Sequence, residues 1–337
     1  MGPLRCATTL VFVLLAGAAG QAQDQPLRLI QTIPMPHVKG RIDHMDADVS
    51  GRRLFVAGLD NGSVEVVDLK RGKWQRSIPG FKKPQGILYV GSLNKLFVAS
   101  GDDAMLRVFK GDTLQPAAEI RLEPGPNRVI YDPESRELYV GYGGKDAGKD
   151  YGVVGIIDAG ENRQIADIKV AAHPAELLLD RGRLFALIPT ATHLQVIDRK
   201  TRQVTATWST NDARPGDAAF DPATHRIFVG TKKPAQLLVL DSQSGKQMAA
   251  QPTIDGMDGV YFDTKRKRIY VSGSTASDSS VWVYQQRGPD NYELLGKVPT
   301  RDGAATALWV PEMNRYYVAA PATGDKQAAV LVLEPGK

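Results

Sequence analysis

The segment Leu96-Phe97-Val98 is one of seven short apolar triplets that recur along the chain at nearly equal spacing. The others are Leu54-Phe55-Val56, Leu138-Tyr139-Val140, Leu184-Phe185-Ala186, Ile227-Phe228-Val229, Ile269-Tyr270-Val271 and Tyr316-Tyr317-Val318. Their first residues lie 42, 42, 46, 43, 42 and 47 positions apart. A strand-rich repeat of about 40–50 residues is typical of propeller blades with four strands each. We therefore predict an all-β chain that forms a single seven-bladed β-propeller.

Residues 85–126 show how one repeat can form a blade. Ile87-Leu88-Tyr89-Val90 is wholly apolar, as expected for an innermost strand that is buried on both faces. The triplet at Leu96 begins the second strand, and Met105-Leu106-Arg107-Val108-Phe109 alternates like a half-exposed third strand. Ala118-Glu119-Ile120-Arg121-Leu122 supplies the outer strand, so each repeat accounts for one four-stranded blade.

Four of the predicted third strands end in an aspartate, at Asp68, Asp158, Asp198 and Asp241. Aspartate in such a position commonly accepts hydrogen bonds from backbone amides of the following turn. We predict this structural role for all four residues, and no catalytic one.

The last repeat ends after its third strand, Val330-Leu331-Val332-Leu333. The missing outer strand is available near the other terminus, in residues 27–33. We predict that this segment completes the last blade and closes the ring, because closure removes two free sheet edges. The propeller would then occupy residues 26–337.

Residues 1–22 have the features of a signal peptide. Arg5 is a minimal basic region, residues 9–16 form a short apolar core, and Gly20-Gln21-Ala22 offers small residues before a cleavage site. No other stretch is apolar enough to span a membrane. We expect a bacterial protein that is periplasmic or secreted, and monomeric.

Composition narrows the chemistry that this chain can perform. Of its 337 residues 42% are hydrophobic and 23% charged, and the formal charge of +5 permits acidic partners without demanding them. Cys6 is the only cysteine and lies in the predicted signal peptide. The mature protein is therefore predicted to have no disulfide, thiolate metal site or cysteine nucleophile.

The repeats also carry a family resemblance. The phrases Leu-Phe-Val-Ala at 96–99, Leu-Tyr-Val-Gly at 138–141 and Ile-Tyr-Val-Ser at 269–272 are each followed by a strand similar to Val-x-Val-x-Asp. In this the chain resembles the secreted YVTN/YncE-like seven-bladed propellers, over nearly all of the mature protein. The resemblance implies the fold; its motifs specify structure rather than activity. Some members are similar to nucleic-acid or cell-surface binders.

Polar residues concentrate where the turns of successive blades would meet at one mouth of the central channel. They come from the turns into each innermost strand, and their types differ from blade to blade. A purely structural repeat would tend to reuse one residue type, so we predict a ligand-binding site here. We call the following set the channel-mouth residues: Arg41, Asp43, His44, Lys83, Gln85, Asn127, Arg128, His173, Glu176, Arg214, Asp217, Asp258, Asp302 and Thr306.

Two alternatives concern the chemistry of this set. Glu176, Asp217 and Asp258 come from successive blades and could hold a hard divalent ion such as Ca²⁺, with Asn127 nearby. This resembles the way lactonase propellers hold a metal, and His44 would assist proton transfer. The opposing interpretation is that Arg128 and Arg214 simply neutralise these acids.

The turn 143–152 is unusually long and rich in glycine. Tyr142 and Tyr151 flank it and could fold over the channel as a lid.

The leading hypothesis is a non-enzymatic propeller that needs no cofactor and binds a small polar ligand or a partner protein at the channel mouth. A metal-dependent, lactonase-like hydrolase and a single-stranded DNA binder are the alternatives. DNA binding is not favoured, because the basic pairs Lys82-Lys83 and Lys232-Lys233 lie on blades that are not neighbours and few aromatic residues accompany them.

Overall fold

The computed structural model describes residues 25–336, which form 28 β-strands in seven four-stranded antiparallel sheets. No helix among these residues is long and apolar enough to cross a membrane. The predicted signal peptide, residues 1–22, lies outside the described residues, as does Lys337. The single seven-bladed β-propeller predicted from the repeat is thus confirmed.

Each of the first six blades is four consecutive strands, numbered from the channel outward. Their bounds are as follows: blade 1, β2 (Met45–Asp48), β3 (Arg53–Gly58), β4 (Ser63–Asp68) and β5 (Lys73–Pro79); blade 2, β6 (Pro84–Val90), β7 (Lys95–Ser100), β8 (Met105–Lys110) and β9 (Pro116–Arg121); blade 3, β10 (Val129–Asp132), β11 (Glu137–Gly143), β12 (Gly152–Asp158) and β13 (Arg163–Val170). Blade 4 is β14 (Glu176–Asp180), β15 (Arg183–Ile188), β16 (His193–Asp198) and β17 (Gln203–Ser209); blade 5, β18 (Pro215–Asp221), β19 (Arg226–Lys232), β20 (Ala235–Asp241) and β21 (Gln247–Pro252); blade 6, β22 (Met257–Asp263), β23 (Arg268–Ser274), β24 (Ser279–Gly288) and β25 (Asn291–Pro299). Short 3-10 helices in turns span Gly91–Leu93, Gly144–Ala147, Pro189–Ala191 and Pro311–Met313.

Blade 7 contains both ends of the described chain. It consists of β26 (Ala307–Val310), β27 (Arg315–Ala320), β28 (Ala329–Pro335) and, outermost, β1 (Leu27–Pro34). β1 pairs antiparallel with β28 from Leu27 opposite Pro335 to Pro34 opposite Ala329. The predicted closure by the N-terminal strand is therefore confirmed.

The repeated triplet stabilises the ring because it packs in both directions. In blade 1 the middle residue, Phe55, shares a core cluster with Leu96 and Val98, the outer residues of the next triplet. The same relation joins every neighbouring pair, and Tyr317 of blade 7 packs with Leu54 and Val56 of blade 1. Alternation along a strand sends the middle side chain to one face and its neighbours to the other. One triplet per blade therefore packs each sheet against both adjacent sheets.

The four aspartates at the ends of third strands have the predicted role. Asp68 accepts backbone hydrogen bonds from Lys70 and Arg71, both at 2.9 Å. Asp158, Asp198 and Asp241 likewise accept from backbone amides two or three residues on. These side chains fix the outer turns on the face opposite the channel mouth.

A second ring of contacts joins the blades on that opposite face. Six of the seven second strands begin with a basic residue, namely Arg53, Lys95, Arg183, Arg226, Arg268 and Arg315. Lys95 reaches from blade 2 to the outer turn of blade 3, where its ammonium donates to the carbonyls of Ala159 and Gly160, each at 2.7 Å. Arg53 and Arg183 make the same kind of bond to Gly111 and Ser242 of the following blades.

The junction of blades 3 and 4 uses the reverse polarity. Blade 3 has Glu137 at the start of its second strand, and Arg202 of the blade 4 outer turn pairs with it at 3.2 Å. Arg199 from the same turn pairs with Asp132 of blade 3. At this junction the acidic residue is on the second strand and the basic residue is on the turn of the next blade. The two blades are still joined by a polar contact.

Candidate functional site

The register of the innermost strands places one residue from each blade at the same level of the channel. The level is fixed by the pair that ends each inner strand, for example Asp48 opposite Arg53 in blade 1 and Asp221 opposite Arg226 in blade 5. Counting back four positions from the inner-strand residue of this pair gives one residue in each blade. These residues are His44, Gly86, Arg128, Glu176, Asp217, Gly259 and Thr306. We call this set the inner ring.

A cavity of about 150 Å³ opens above the inner ring at the predicted channel mouth. Six of the seven blades contribute to its lining, which is mostly polar. The channel-mouth residues that line it are Arg41, Asp43, His44, Gln85, Asn127, Glu176, Arg214, Asp217 and Asp258, and the structure adds Ala175, Pro189, Pro215, Gly216 and Lys232. The sequence-predicted set is thus largely brought together in one place.

Five of the predicted residues are not part of the cavity lining, namely Lys83, Arg128, His173, Asp302 and Thr306. Lys83 pairs instead with Asp102, with 3.5 Å between its Nζ and the carboxylate. The Nδ1 atom of His173 forms a 3.2 Å hydrogen bond with the carbonyl of Gly143, and burial lowers the pKa of this histidine. Asp302 is exposed on the surface.

Arg128 lies beneath the cavity and connects three blades. Its Nε is 2.7 Å from Oε1 of Glu176, and its Nη1 is 3.4 Å from Nδ1 of His44. Burial acts to lower the pKa of Arg128, but Glu176 and Asp217 outweigh burial and raise it. The guanidinium therefore stays charged and forms part of the floor of the cavity.

The contact with Arg128 also assigns the tautomer of His44. A guanidinium can only donate hydrogen bonds, so Nδ1 of His44 must be the acceptor and the ring proton must be on Nε2. That Nε2 is 3.8 Å from Oδ1 of Asp43, which is beyond hydrogen-bonding distance. Both the His44 donor and the Asp43 acceptor therefore keep capacity for a ligand.

Glu176 and Asp217 are neighbouring acids in a buried place. Burial and the neighbouring Asp217 raise the pKa of Glu176 well above its ordinary value, and Arg128 opposes this only in part. The carboxylate oxygens of Asp217 accept hydrogen bonds from the backbone amides of Ala218 at 2.6 Å and Val260 at 3.1 Å.

Asp258 lines the cavity between two cations. Nζ of Lys232 lies 3.1 Å from one carboxylate oxygen, and Nη2 of Arg41 lies 3.8 Å from the other. Burial acts to raise the pKa of Asp258, but Lys232 and Arg41 lower it overall, so the carboxylate is ionised.

A further acid lies deeper in the channel. Asp46 accepts hydrogen bonds from the backbone amides of Tyr89 at 2.6 Å and Ala47 at 2.8 Å. Burial nevertheless raises the pKa of Asp46 to about 6. Its bond to Tyr89 joins blade 1 to blade 2 below the cavity.

The three carboxylates of the metal hypothesis do not form a suitable donor set as they stand. Glu176 lies with its Oε1 2.7 Å from Nε of Arg128, and Asp258 is engaged by Lys232. Among residues 25–336 no group of three or more His, Cys, Asp and Glu side chains has the geometry to hold a metal ion. Arg128 neutralises acids as the opposing interpretation expects, whereas Arg214 forms no ion pair with them. Metal binding stays an untested prediction.

Two features of the cavity were not anticipated. Lys232 was interpreted only as half of a surface basic pair, although it ends β19 and reaches Asp258. Gly86 leaves room at its inner-ring position: a Cβ there would lie 1.9 Å from the backbone oxygen of Asn127. Because glycine lacks that atom, Asn127 of the next blade can approach the channel closely.

The lid hypothesis is wrong for Tyr142. Its side chain is buried within blade 3, and its hydroxyl donates to Asp167 on the outermost strand β13. The ring of Tyr151 lies under the ammonium groups of Lys149 and Lys169, at 5.1 and 4.0 Å from the ring centre. These contacts hold both rings against blade 3.

Comparisons with known proteins bear on the fold. No family model matches the chain, and no curated protein sequence matches it. Among solved structures it is similar to a chain of Kuenenia stuttgartiensis hydrazine synthase, with a TM-score of 0.73 and 18% identity over 88% of this chain and 97% of that one. It is also similar to a chain of a mitotic checkpoint complex, with a TM-score of 0.75 and 12% identity over 98% and 99% of the two chains. At such identities the likeness shows the propeller fold alone.

Proposed function

We propose that this chain is a non-enzymatic binding protein of the YVTN/YncE-like propeller group, periplasmic or secreted, which captures a small polar ligand at its channel mouth. The single observation that carries the proposal is the cavity itself. Side chains of different types from six blades converge on one concave, mostly polar space of about 150 Å³. Binding sites are typically concave and have a few convergent polar groups.

The floor of the cavity supports capture rather than passage. Arg128 of blade 3 contacts His44 of blade 1 and Glu176 of blade 4, so its side chain extends across the channel. The channel therefore offers a cup with a charged floor, in which a ligand can be held on several sides.

The experiment is equilibrium dialysis of the purified protein against a defined library of small polar metabolites, with mass spectrometry of what is retained. We expect at least one compound to be retained by the parent and lost in Asp43→Ala. The control is Lys145→Gln, which removes an exposed charge outside the cavity lining. If no compound is retained, or if Asp43→Ala retains the same compounds, binding in this cavity is refuted.

A further inference from the structure

The charged side chains that line the cavity differ in depth, and the guanidinium of Arg128 lies beneath them. The cations stand at its rim, where the side chains of Arg41 and Lys232 are 58% and 38% exposed and Arg214 is exposed. The acids Asp43 and Glu176 lie at its floor, with side chains 6% and 1% exposed. A bound molecule would therefore meet positive charge at the outer end and buried oxygen atoms at the inner end.

The rim has unused capacity to bind an anion. Within residues 25–336 the guanidinium of Arg214 makes no ion pair or hydrogen bond. Arg41 reaches its two acids only at 3.8 and 3.9 Å, so its donors are not saturated. Asp258 is the carboxylate that Arg41 and Lys232 share. An arginine fork with free donors is well matched to a carboxylate or phosphate group.

The floor has unused capacity to accept hydrogen bonds. Oδ1 of Asn127 is buried without a partner among the described residues. Within the described part of the chain, the carboxylate of Asp43 has only the long contacts to Arg41 and His44, at 3.9 and 3.8 Å. A buried acceptor that lacks a donor costs free energy, and a ligand hydroxyl or ammonium group would remove that cost.

We infer that the ligand is a small organic anion whose other end carries hydroxyl or ammonium groups. Its anionic group binds Arg214 and Arg41 at the rim, and its donors bind Asp43 and Asn127 at the floor. This inference rests on the proposed function and specifies the chemical class of the ligand that the same cavity binds. Uncharged polyols lack the group for the rim, and simple inorganic anions lack the donors for the floor.

The test compares matched pairs by isothermal titration: D-glycerate with glycerol, D-gluconate with glucitol, L-serine with serinol, and glycerol 3-phosphate with glycerol. We expect at least one anion to bind and its uncharged or cationic partner to bind at least about tenfold more weakly. The phosphate arm distinguishes a phosphate from a carboxylate as the anionic group. Added salt should weaken the binding, because the rim cations are exposed.

Two variants identify the ends of the ligand. Arg214→Gln should weaken the binding of the anion about tenfold or more without changing the melting temperature, since this side chain has no polar partner among residues 25–336. Asp43→Asn should weaken the compounds that carry donors, and Lys145→Gln should change neither. If partners of a pair bind equally, or Arg214→Gln binds like the parent, the inference is overturned.

Different results would overturn the anionic class of the ligand and the binding function itself. Equal binding of an acid and its alcohol, lost in Asp43→Asn, would leave the binding function standing and remove only the anionic class. Absence of binding by every member of the panel would overturn the inference, and absence from the wider dialysis library as well would overturn the binding function.

Discussion

Arg128 of blade 3 and Glu176 of blade 4 contact each other across a blade boundary, with 2.7 Å between the guanidinium Nε and the carboxyl Oε1. The Glu176 side chain is fully enclosed, while Arg128 keeps a quarter of its side-chain surface open to the channel. The pair supports the floor of the cavity, so its disruption should affect both stability and binding.

Arg128→Met should destabilise the protein by about 3 kcal/mol, the lower end of the range for removing one partner of a buried pair. The cost is moderate because Glu176 can respond by binding its proton more tightly. Denaturant unfolding of the parent and the variant measures the difference. In the double variant with Glu176→Gln part of the loss should return, as double-mutant coupling of contacting residues requires. Equal stability of Arg128→Met and the parent would show that the contact is not significant in solution.

The raised pKa of Glu176 predicts the sign of a pH effect. Below the ordinary pKa of 4.5 both the folded and the unfolded chain hold this proton. As the pH rises above that value the unfolded chain releases the proton first, so the free energy of unfolding falls until the folded pKa is passed. Glutamine imitates the protonated carboxyl and cannot lose a proton.

We therefore expect Glu176→Gln to become more stable relative to the parent as the pH rises above about 4.5. Denaturant unfolding of both proteins across pH 4 to 9 measures this difference, and Asp46, whose pKa is also raised, cancels because both proteins contain it. A difference that is constant across the range, or of the opposite sign, would contradict the raised pKa.

Lys95→Met tests the ring of contacts between blades on the opposite face. It removes three bonds, to the carbonyls of Ala159 and Gly160 and, at 2.9 Å, to the side chain of Asn162. We expect a loss of about 1–3 kcal/mol, because three acceptors lose a charged donor and water replaces it only in part. Arg136→Met is the matched control, since Arg136 is exposed and has no ion pair within the described chain. Similar stability of the two variants would refute the role of Lys95.

The fold could be predicted from the sequence because its cause is local and repeated. Alternation within each triplet directs Phe97 towards one neighbouring blade and Leu96 and Val98 towards the other, and this recurs in every repeat. The basic residue before most triplets is equally visible in the sequence. Its role was missed because its acceptors are carbonyls of a turn in the next blade, which no side-chain pattern marks.

The cavity could be predicted only as a level of the propeller, not as a set of contacts. Equal blades place His44, Arg128 and Glu176 at one height, which the register alone implies. The directions of the flanking turns are set locally. Lys83 has a left-handed backbone conformation with φ of 61° and pairs with Asp102, away from the cavity. Lys232 reaches the cavity because its long side chain extends to Asp258 from the end of β19.

Calcium provides a test of the hydrolase hypothesis. Because Lys232 and Arg41 already engage Asp258, and Arg128 already contacts Glu176, we expect millimolar Ca²⁺ and EDTA to leave the melting temperature unchanged. A bound ion would stabilise the folded state by mass action, about 2.7 kcal/mol at a hundredfold excess over Kd. Stoichiometric metal in the purified protein, together with a calcium-dependent rise in melting temperature that Glu176→Gln abolishes, would establish the alternative.

Closure by β1 predicts that the first described strand stabilises the whole ring. Deleting residues 25–36 exposes the edge of β28 and removes the buried side chains of Leu27, Ile33 and Met35. Each buried side chain of this kind contributes about 1.5–3 kcal/mol, so the sum approaches the 5–15 kcal/mol total stability of an ordinary domain. We expect the truncated protein to be unfolded or aggregated, and a synthetic peptide of residues 25–36 to restore its melting transition by pairing with β28. Leu29→Ser is the control, since Leu29 lies on the same strand but is 53% exposed, and it should change stability by less than about 0.5 kcal/mol. A truncated protein that melted at the parent temperature would mean that the ring is held closed by the contacts of blade 7 with blades 6 and 1 alone, without its outermost strand.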